Sequence, residues 1–267
     1  MSVNLRHKEI LNILEKNGAV SIRDLVSVLY VSETTVRRDL TYLEKAGSIK
    51  RTFGGAKPIT DTKNQIPLSI RESLDSKAKN EICKKAARFI KEGDTIFLDG
   101  SSTVQHLVKY ISDIKDIVVV TYSIKTAELM CRNHIKTYCA GGLMLENSLV
   151  CVGNKTVEFA NSINTDICFI SCKGVDCNGK FTDTSEEETV IRKAFMKNCG
   201  FRVMLMTQNK FNSKYLHTLC EASEIDCLIS DGEISSCLTE KLRRKDDQSA
   251  EQPHSSFFIQ NPLAVNE

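Results

Sequence analysis

The sequence predicts an α/β chain in two parts, a small N-terminal winged helix-turn-helix and a larger C-terminal α/β body. Three observations lead there. Apolar residues recur at helical spacing in three short segments between Leu5 and Leu43. From Arg71 onward, helical stripes alternate with short apolar runs, the order of an α/β domain around a mostly parallel sheet. Between the two, residues 58–70 carry Pro58 and Pro67 among polar residues and show no helical period. The expected division is 1–57 for the first domain, 58–70 for a linker, 71–235 for the body and 236–267 for a tail.

The first helix is expected from Leu5 to Lys16, with Ile10, Leu11 and Leu14 inward and Asn17-Gly18 ending it. Ser21 can cap a second helix, with Asp24 three residues on and Val20 and Leu25 as a hydrophobic staple. A tight connection through Tyr30-Val31 delivers a third helix, capped by Ser32 and closed at Gly47. Its Val36, Leu40 and Leu43 face a core, while Thr34, Thr35, Arg37, Arg38 and Thr41 take the other faces. Hydroxyls and paired arginines at the front of a short capped helix suit the major groove of DNA. The following Ser48–Ala56 reads as strand, glycine turn and strand, a wing that can lay Lys50 and Arg51 along phosphates or in the minor groove. The expected DNA contacts are Ser32, Thr34, Thr35, Arg37, Arg38, Lys50 and Arg51.

Charge agrees with this division. The chain of 267 residues has a net charge of only +2. Residues 1–57 hold ten Lys/Arg against six Asp/Glu, so a polyanion partner is expected for the first part alone. The 11 cysteines form no CxxC pair and mostly lie in apolar runs, which argues against a zinc or dithiol motif and for a reducing compartment. No signal core or membrane-length apolar run is present, so the expected location is the cytoplasm.

In the body, strands are expected at Thr95–Leu98, Ile117–Val120, Thr137–Cys139, Ile167–Ser171, Arg202–Met206 and Cys227–Ile229. Ligands of such sheets sit beyond the carboxyl ends of the strands. There the sequence places Asp99-Gly100-Ser101-Ser102-Thr103, Thr121-Tyr122-Ser123, Gly141-Gly142, Lys173-Gly174-Val175-Asp176 and Thr207-Gln208-Asn209-Lys210. Hydroxyls and lysines for a phosphate, with carboxylates for sugar hydroxyls, point to a phosphorylated polyol. No GxxxxGK[ST] or GxGxxG loop supports a nucleotide.

Thr35-Val36-Arg37-Arg38-Asp39-Leu40, Leu43-Glu44, Gly47 and Arg51 followed by Gly54-Gly55-Ala56 resemble the N-terminal motif of DeoR-type bacterial transcriptional regulators. The likeness runs on to Asp231 through Gly100–Thr103, Thr121 and Ser123, Gly141-Gly142, Val152-Gly153, Gly174-Val175-Asp176, Glu188 with Arg192-Lys193, Lys210-Phe211 and Ile229-Ser230-Asp231. It implies a repressor of a sugar-metabolism operon whose effector domain is related to ribose-5-phosphate isomerase. It also adds Glu188 and Lys193 to the expected effector contacts, which are Asp99, Gly100, Ser101, Ser102, Thr103, Thr121, Ser123, Gly141, Gly142, Lys173, Asp176, Glu188, Lys193 and Lys210. The chain departs from the family pattern at Phe53, Tyr122 and Thr207, where His, Asn and Asp are usual. Phe53 is expected to cost the wing one polar DNA contact.

The expected partners are operator DNA, a phosphorylated sugar and further copies of the chain, because one winged domain offers few contacts. No cofactor, metal or catalytic residue is expected. Two alternatives stand beside this reading. One is a sugar-phosphate isomerase with Asp176 or Glu188 as base and Lys193 or Lys210 at the oxyanion. The other is a regulator that has lost its small-molecule ligand.

Overall fold

The computed structural model describes residues 3–45, 48–58 and 67–243, which divide into two compact units between Leu74 and Asp75. The expected turn at Gly47, the middle of the connector and residues 244–267 of the tail lie outside the described residues.

The first unit opens with α1 (Val3–Asn17), β1 (Val20–Ser21), α2 (Ile22–Leu29) and α3 (Glu33–Lys45). The wing follows as β2 (Ile49–Thr52) and β3 (Gly55–Pro58). Local chemistry sets these bounds. Gly18 takes a left-handed turn after α1, and its N–H reaches the Leu14 carbonyl. Ser21 caps α2 by accepting the Asp24 N–H at 3.2 Å, as its spacing predicts. The two-residue β1 was not expected; it pairs with β3, giving a sheet of order β1-β3-β2. Gly55 permits this pairing, since a Cβ there would lie 2.2 Å from the Val20 carbonyl oxygen.

Ile10, Leu14, Leu25, Val36, Leu40, Leu43 and Ile49 are buried together in one core. A short helix α4 (Leu68–Ser73) adds Ile70 to it, so the last three residues of the expected 58–70 connector are helical. Arg71-Glu72, expected to open the body, belong to this helix and to the first unit.

The apolar pattern gave no sign of a buried charge. Arg6 and His7 on α1 lie inside the unit, both bonded to the buried carboxylate of Asp39 on α3. Arg6 Nη2 donates to Asp39 Oδ1 at 3.0 Å, and His7 Nε2 is 3.0 Å from the same oxygen. His7 also stacks on Tyr42 with ring centroids 4.8 Å apart. Burial pushes the Asp39 carboxyl up, but the bonds and charges of Arg6 and His7 offset this and hold it below the usual range.

The second unit is built on a six-stranded parallel sheet. In chain order it has α5 (Ser76–Ala86), β4 (Thr95–Leu98), α6 (Ser102–Gln105), α7 (Val108–Ile111), β5 (Val118–Thr121), α8 (Ile124–Arg132) and β6 (Lys136–Cys139). A hairpin, β7 (Leu143–Leu145) and β8 (Val150–Val152), leads to α9 (Asn154–Ser162) and β9 (Thr165–Ile170). Then come β10 (Gly174–Val175), β11 (Lys180–Asp183), α10 (Glu186–Lys197), β12 (Cys199–Met206), β13 (His217–Glu221), β14 (Cys227–Ser230) and α11 (Ser236–Arg243).

The main sheet has the order β14-β12-β9-β4-β5-β6, parallel throughout. All six strands were legible as apolar runs, to within a few residues at their ends. Their continuity follows from burial on both faces. Phe97, Cys168, Ile170, Met204 and Leu228 enter one core, while Ile96, Leu98, Ile167, Phe169, Val203 and Ile229 enter the other. The β7–β8 hairpin and the small β10-β11-β13 sheet were not foreseen. Gly174-Val175, expected as loop, is β10, antiparallel to β11.

Asp39→Ala is expected to cost about 3–5 kcal/mol by stranding buried Arg6, read as lost amide-exchange protection in α1 and α3 of the whole chain. The folded carboxyl is held low, so its contribution is present above the unfolded Asp value and fades as pH falls through the folded one. Asp39→Asn is expected to flatten that acid-side loss of protection.

Candidate functional site

Two surfaces collect the candidate residues, one in each unit. In the first, α3 buries Val36, Leu40 and Leu43 and turns the opposite face outward. Ser32 Oγ accepts the Thr35 N–H at 3.2 Å and lies 2.8 Å from Thr35 Oγ1, so these hydroxyls are engaged in the cap. Thr34, Arg37 and Arg38 are exposed. Arg37 reaches back to Glu33, with Nη2 2.6 Å from Oε1, an exposed pair that contributes little and can be exchanged for another anion.

Lys50 is exposed on the wing. Arg51, expected along phosphates, is instead drawn onto α3. Its Nη1 donates to Thr41 Oγ1 at 3.1 Å, its backbone N–H to Glu44 Oε1 at 3.0 Å, and its Nε is buried. The alternation of β2 explains this: Ile49 and Arg51 share the inward face, Lys50 and Thr52 the outward one.

In the second unit, the carboxyl ends of β4, β5, β9 and β12 do converge, and the hub is a residue the sequence reading passed over. Ser171, just after β9, donates its N–H to Asp99 Oδ2 at 2.9 Å. Its Oγ accepts from Lys210 Nζ at 2.8 Å, and its carbonyl from Arg192 Nη1 at 2.6 Å. Arg192 Nη1 also bonds Asp183 Oδ2 at 2.9 Å, and its Nη2 lies 3.8 Å from Glu188 Oε2. Beside this cluster, buried Lys79 of α5 donates to Ser102 Oγ at 3.1 Å. Among the described residues, buried Glu188 Oε1 has no hydrogen-bond partner here.

The charges are mutually adjusted. Burial raises the Asp99 carboxyl, and Arg192 with the Ser101 and Ser171 N–H groups only partly opposes it. Burial also pushes Asp183 up, but Arg192 and Lys173 together prevail and hold it below the usual range. The surrounding Asp183, Tyr122, Glu188 and Asp99 raise Arg192 despite its burial.

Several expected contacts serve the backbone instead. Ser101 caps α6 through the Val104 N–H, and Ser123 caps α8 through Thr126. Thr121 Oγ1 donates to the Leu98 carbonyl at 2.7 Å, joining β5 to β4. Thr103 is buried, and its carbonyl accepts from the Cys83 thiol. Gly100 makes room, since a Cβ there would meet Val150 Cγ1 at 2.2 Å. Gly142 does likewise against Thr156, whose hydroxyl bonds the Gly141 carbonyl at 2.8 Å. Asp176 Oδ1 accepts the Asn178 and Lys180 N–H groups, which commits it to the β10–β11 turn. Lys193 is exposed on α10, and its neighbour Arg192 is the one inside.

Lys79, Ser171, Asp183 and Arg192 were therefore missed as site residues. Two carried a signal. Lys79 shares a helical stripe with Ile82, Cys83 and Ala86, and Arg192 shares one with Glu188, Ile191 and Phe195. A cation in an apolar stripe is buried with a partner or is functional. Ser171 and Asp183 meet Arg192 only through the fold.

A family model described as the DeoR C terminal sensor domain matches residues 74–232, and one for the DeoR-like helix-turn-helix domain matches residues 6–62. The chain belongs to the DeoR family of helix-turn-helix transcriptional regulators. Among its relatives is the HTH-type transcriptional regulator GolR of Listeria innocua, 30% identical over 89% of this chain and 94% of that protein. The glycerol-3-phosphate regulon repressor of Haemophilus influenzae is 25% identical over 92% and 95%. A solved ribose 5 phosphate isomerase A from Neisseria gonorrhoeae is similar at 15% identity and TM-score 0.38, over 50% of this chain and 52% of that one. Among the described residues, no helix is long and apolar enough to cross a membrane.

Arg192→Met is expected to destabilise the C-terminal unit by about 3–5 kcal/mol, because Asp183 is left buried without its cation. A fall in the urea midpoint of that unit checks this, and Lys193→Met is expected to leave the midpoint in place.

Proposed function

We propose that this DeoR-family regulator is a cytoplasmic repressor of a sugar or related carbon-metabolism operon, released when a phosphorylated sugar enters its sensor unit. The observation that carries the reading is the mouth of the parallel sheet. Two lysines, Lys79 and Lys210, meet the serine hydroxyls of Ser102 and Ser171 beside buried carboxylates. Ammonium and hydroxyl groups suit a phosphate. Glu188 Oε1, buried with no hydrogen-bond partner among the described residues, suits a hydroxyl of a sugar. The Haemophilus influenzae relative is named as a repressor of a glycerol-3-phosphate regulon, which agrees with this chemistry.

On the DNA side, Thr34, Arg37 and Arg38 read the major groove, and Lys50 takes a phosphate. Two or more copies bind repeated half-sites, which places a homo-oligomer on the operator. The effector acts through unequal affinity for the DNA-competent and DNA-incompetent arrangements. Of the residues the isomerase alternative calls on, Asp176 is held in a turn and Lys193 is exposed, while Glu188 and Lys210 lie in the cluster around Arg192 and Ser171.

With DNA from upstream of its own gene, Arg38→Ala is expected to weaken binding by about 1–3 kcal/mol. Arg37→Ala should do so less, because Arg37 must give up its pair with Glu33 to reach DNA. Unchanged binding in both variants removes α3 from the interface. In a thermal-shift screen of sugar phosphates, one ligand is expected to stabilise the wild type, and Lys79→Met or Ser102→Ala to abolish that shift. A shift retained in both variants moves the ligand elsewhere.

A further inference from the structure

The outward face of the wing has two features that DNA contact by α3 leaves unexplained. Lys50 and Lys57 are direct partners across the β2–β3 ladder, and both are exposed. Like charges placed opposite each other on a strand pair repel and destabilise it. At the tip of the same hairpin, in the turn Phe53-Gly54, Phe53 is fully solvent-exposed, at 111% relative exposure. A phenyl group there has no folding role, since it touches no part of the core of its unit. The tip is firmly set: Gly54 takes φ +88°, its carbonyl accepts the Ile22 N–H at 2.8 Å, and Gly55 is pinned against Val20.

From this juxtaposition we infer that Phe53 is a wedge that the wing tip sets against a minor-groove base step, while the Lys50–Lys57 pair lower on the same hairpin holds backbone phosphates. The inference rests on the DNA-binding reading above and extends it. Two cations side by side repel until a polyanion lies along them, and duplex DNA presents phosphates at that density. Apolar side chains on minor-groove binders partly unstack a step and kink the duplex, so an exposed phenyl at the tip of a hairpin that carries a lysine pair has a defined use there. Phe53 thus replaces a polar wing contact by an apolar one and does not simply remove it. Sequence preference at the wedged step follows from how easily that step unstacks, with no base hydrogen bond required.

The test uses the full-length protein and a random-sequence duplex pool, from which the wild type selects its preferred site. Against the enriched duplex, Phe53→Ala is expected to bind about tenfold more weakly, and Phe53→Leu to recover most of the loss. With 2-aminopurine placed at successive steps, fluorescence should rise at one step with wild type and with Phe53→Leu, and at none with Phe53→Ala. Lys57→Ala is expected to reduce the slope of log K against log salt by about one. A merely structural role for Phe53 moves the melting temperature and leaves the 2-aminopurine signal alone. Phe53→Ala binding within about twofold of wild type, with no brightening at any step, overturns the inference. If Arg38→Ala weakens binding in that same experiment, the DNA-binding reading survives and only the wedge falls. If the wild type enriches no sequence, both fall.

Discussion

A full positive charge inside a protein is tolerable only where carboxylates and carbonyls surround it, and Arg192 imposes that requirement on the sensor unit. It sits on α10 at the carboxyl end of the sheet, bonded to Asp183, to the Ser171 carbonyl and to the Glu188 carbonyl. Each partner comes from a different element, β11, the end of β9 and α10 itself. The guanidinium therefore ties β11 and the end of β9 to α10, and with them the place where Lys210 and Asp99 meet Ser171. A cluster of this kind is a poor source of net stability but a strong source of geometry, because removing either sign strands the other.

The DNA-binding unit follows the same logic on a smaller scale. Asp39 lies on the buried side of α3, where Arg6 and His7 of α1 fix its carboxylate. The residues exposed on the other side of α3 are thereby oriented by a bond they do not make. Arg51 adds a second tie, from the wing to Thr41 of the same helix. Two of the nominal DNA-facing arginines thus differ in kind: Arg38 is exposed, and Arg51 holds the wing in place.

How far the sequence could be read varies with the type of signal. Helix caps, glycine turns and apolar periods act over a few residues, so Ser21 and Ser32 mark helix starts as their spacing predicts. The runs that became the six parallel strands were equally plain, because strands covered on both faces have no polar alternation to confuse. The short strands β7, β8 and β10, two or three residues long, are too short for a run to single them out, and they were not among the expected strands. Among the site residues, the hydroxyls at strand ends could be located along the chain, but the backbone bonds they make could not. Ser101, Ser123 and Thr121 spend their hydroxyls on caps and strand joining.

By itself, the sequence determined the order of elements, the family and the basic character of the N-terminal part, since these depend on spacing, local hydrogen bonds and composition. The tertiary structure decided which charged side chains are inside. Arg192 rather than Lys193, Lys79 of α5 and Ser171 at the hub are set by how helices rotate onto the sheet, which depends on contacts between residues far apart in the chain. The outward pairing of Lys50 with Lys57 is likewise a matter of register, fixed by the short turn at Gly54 and the close approach at Gly55.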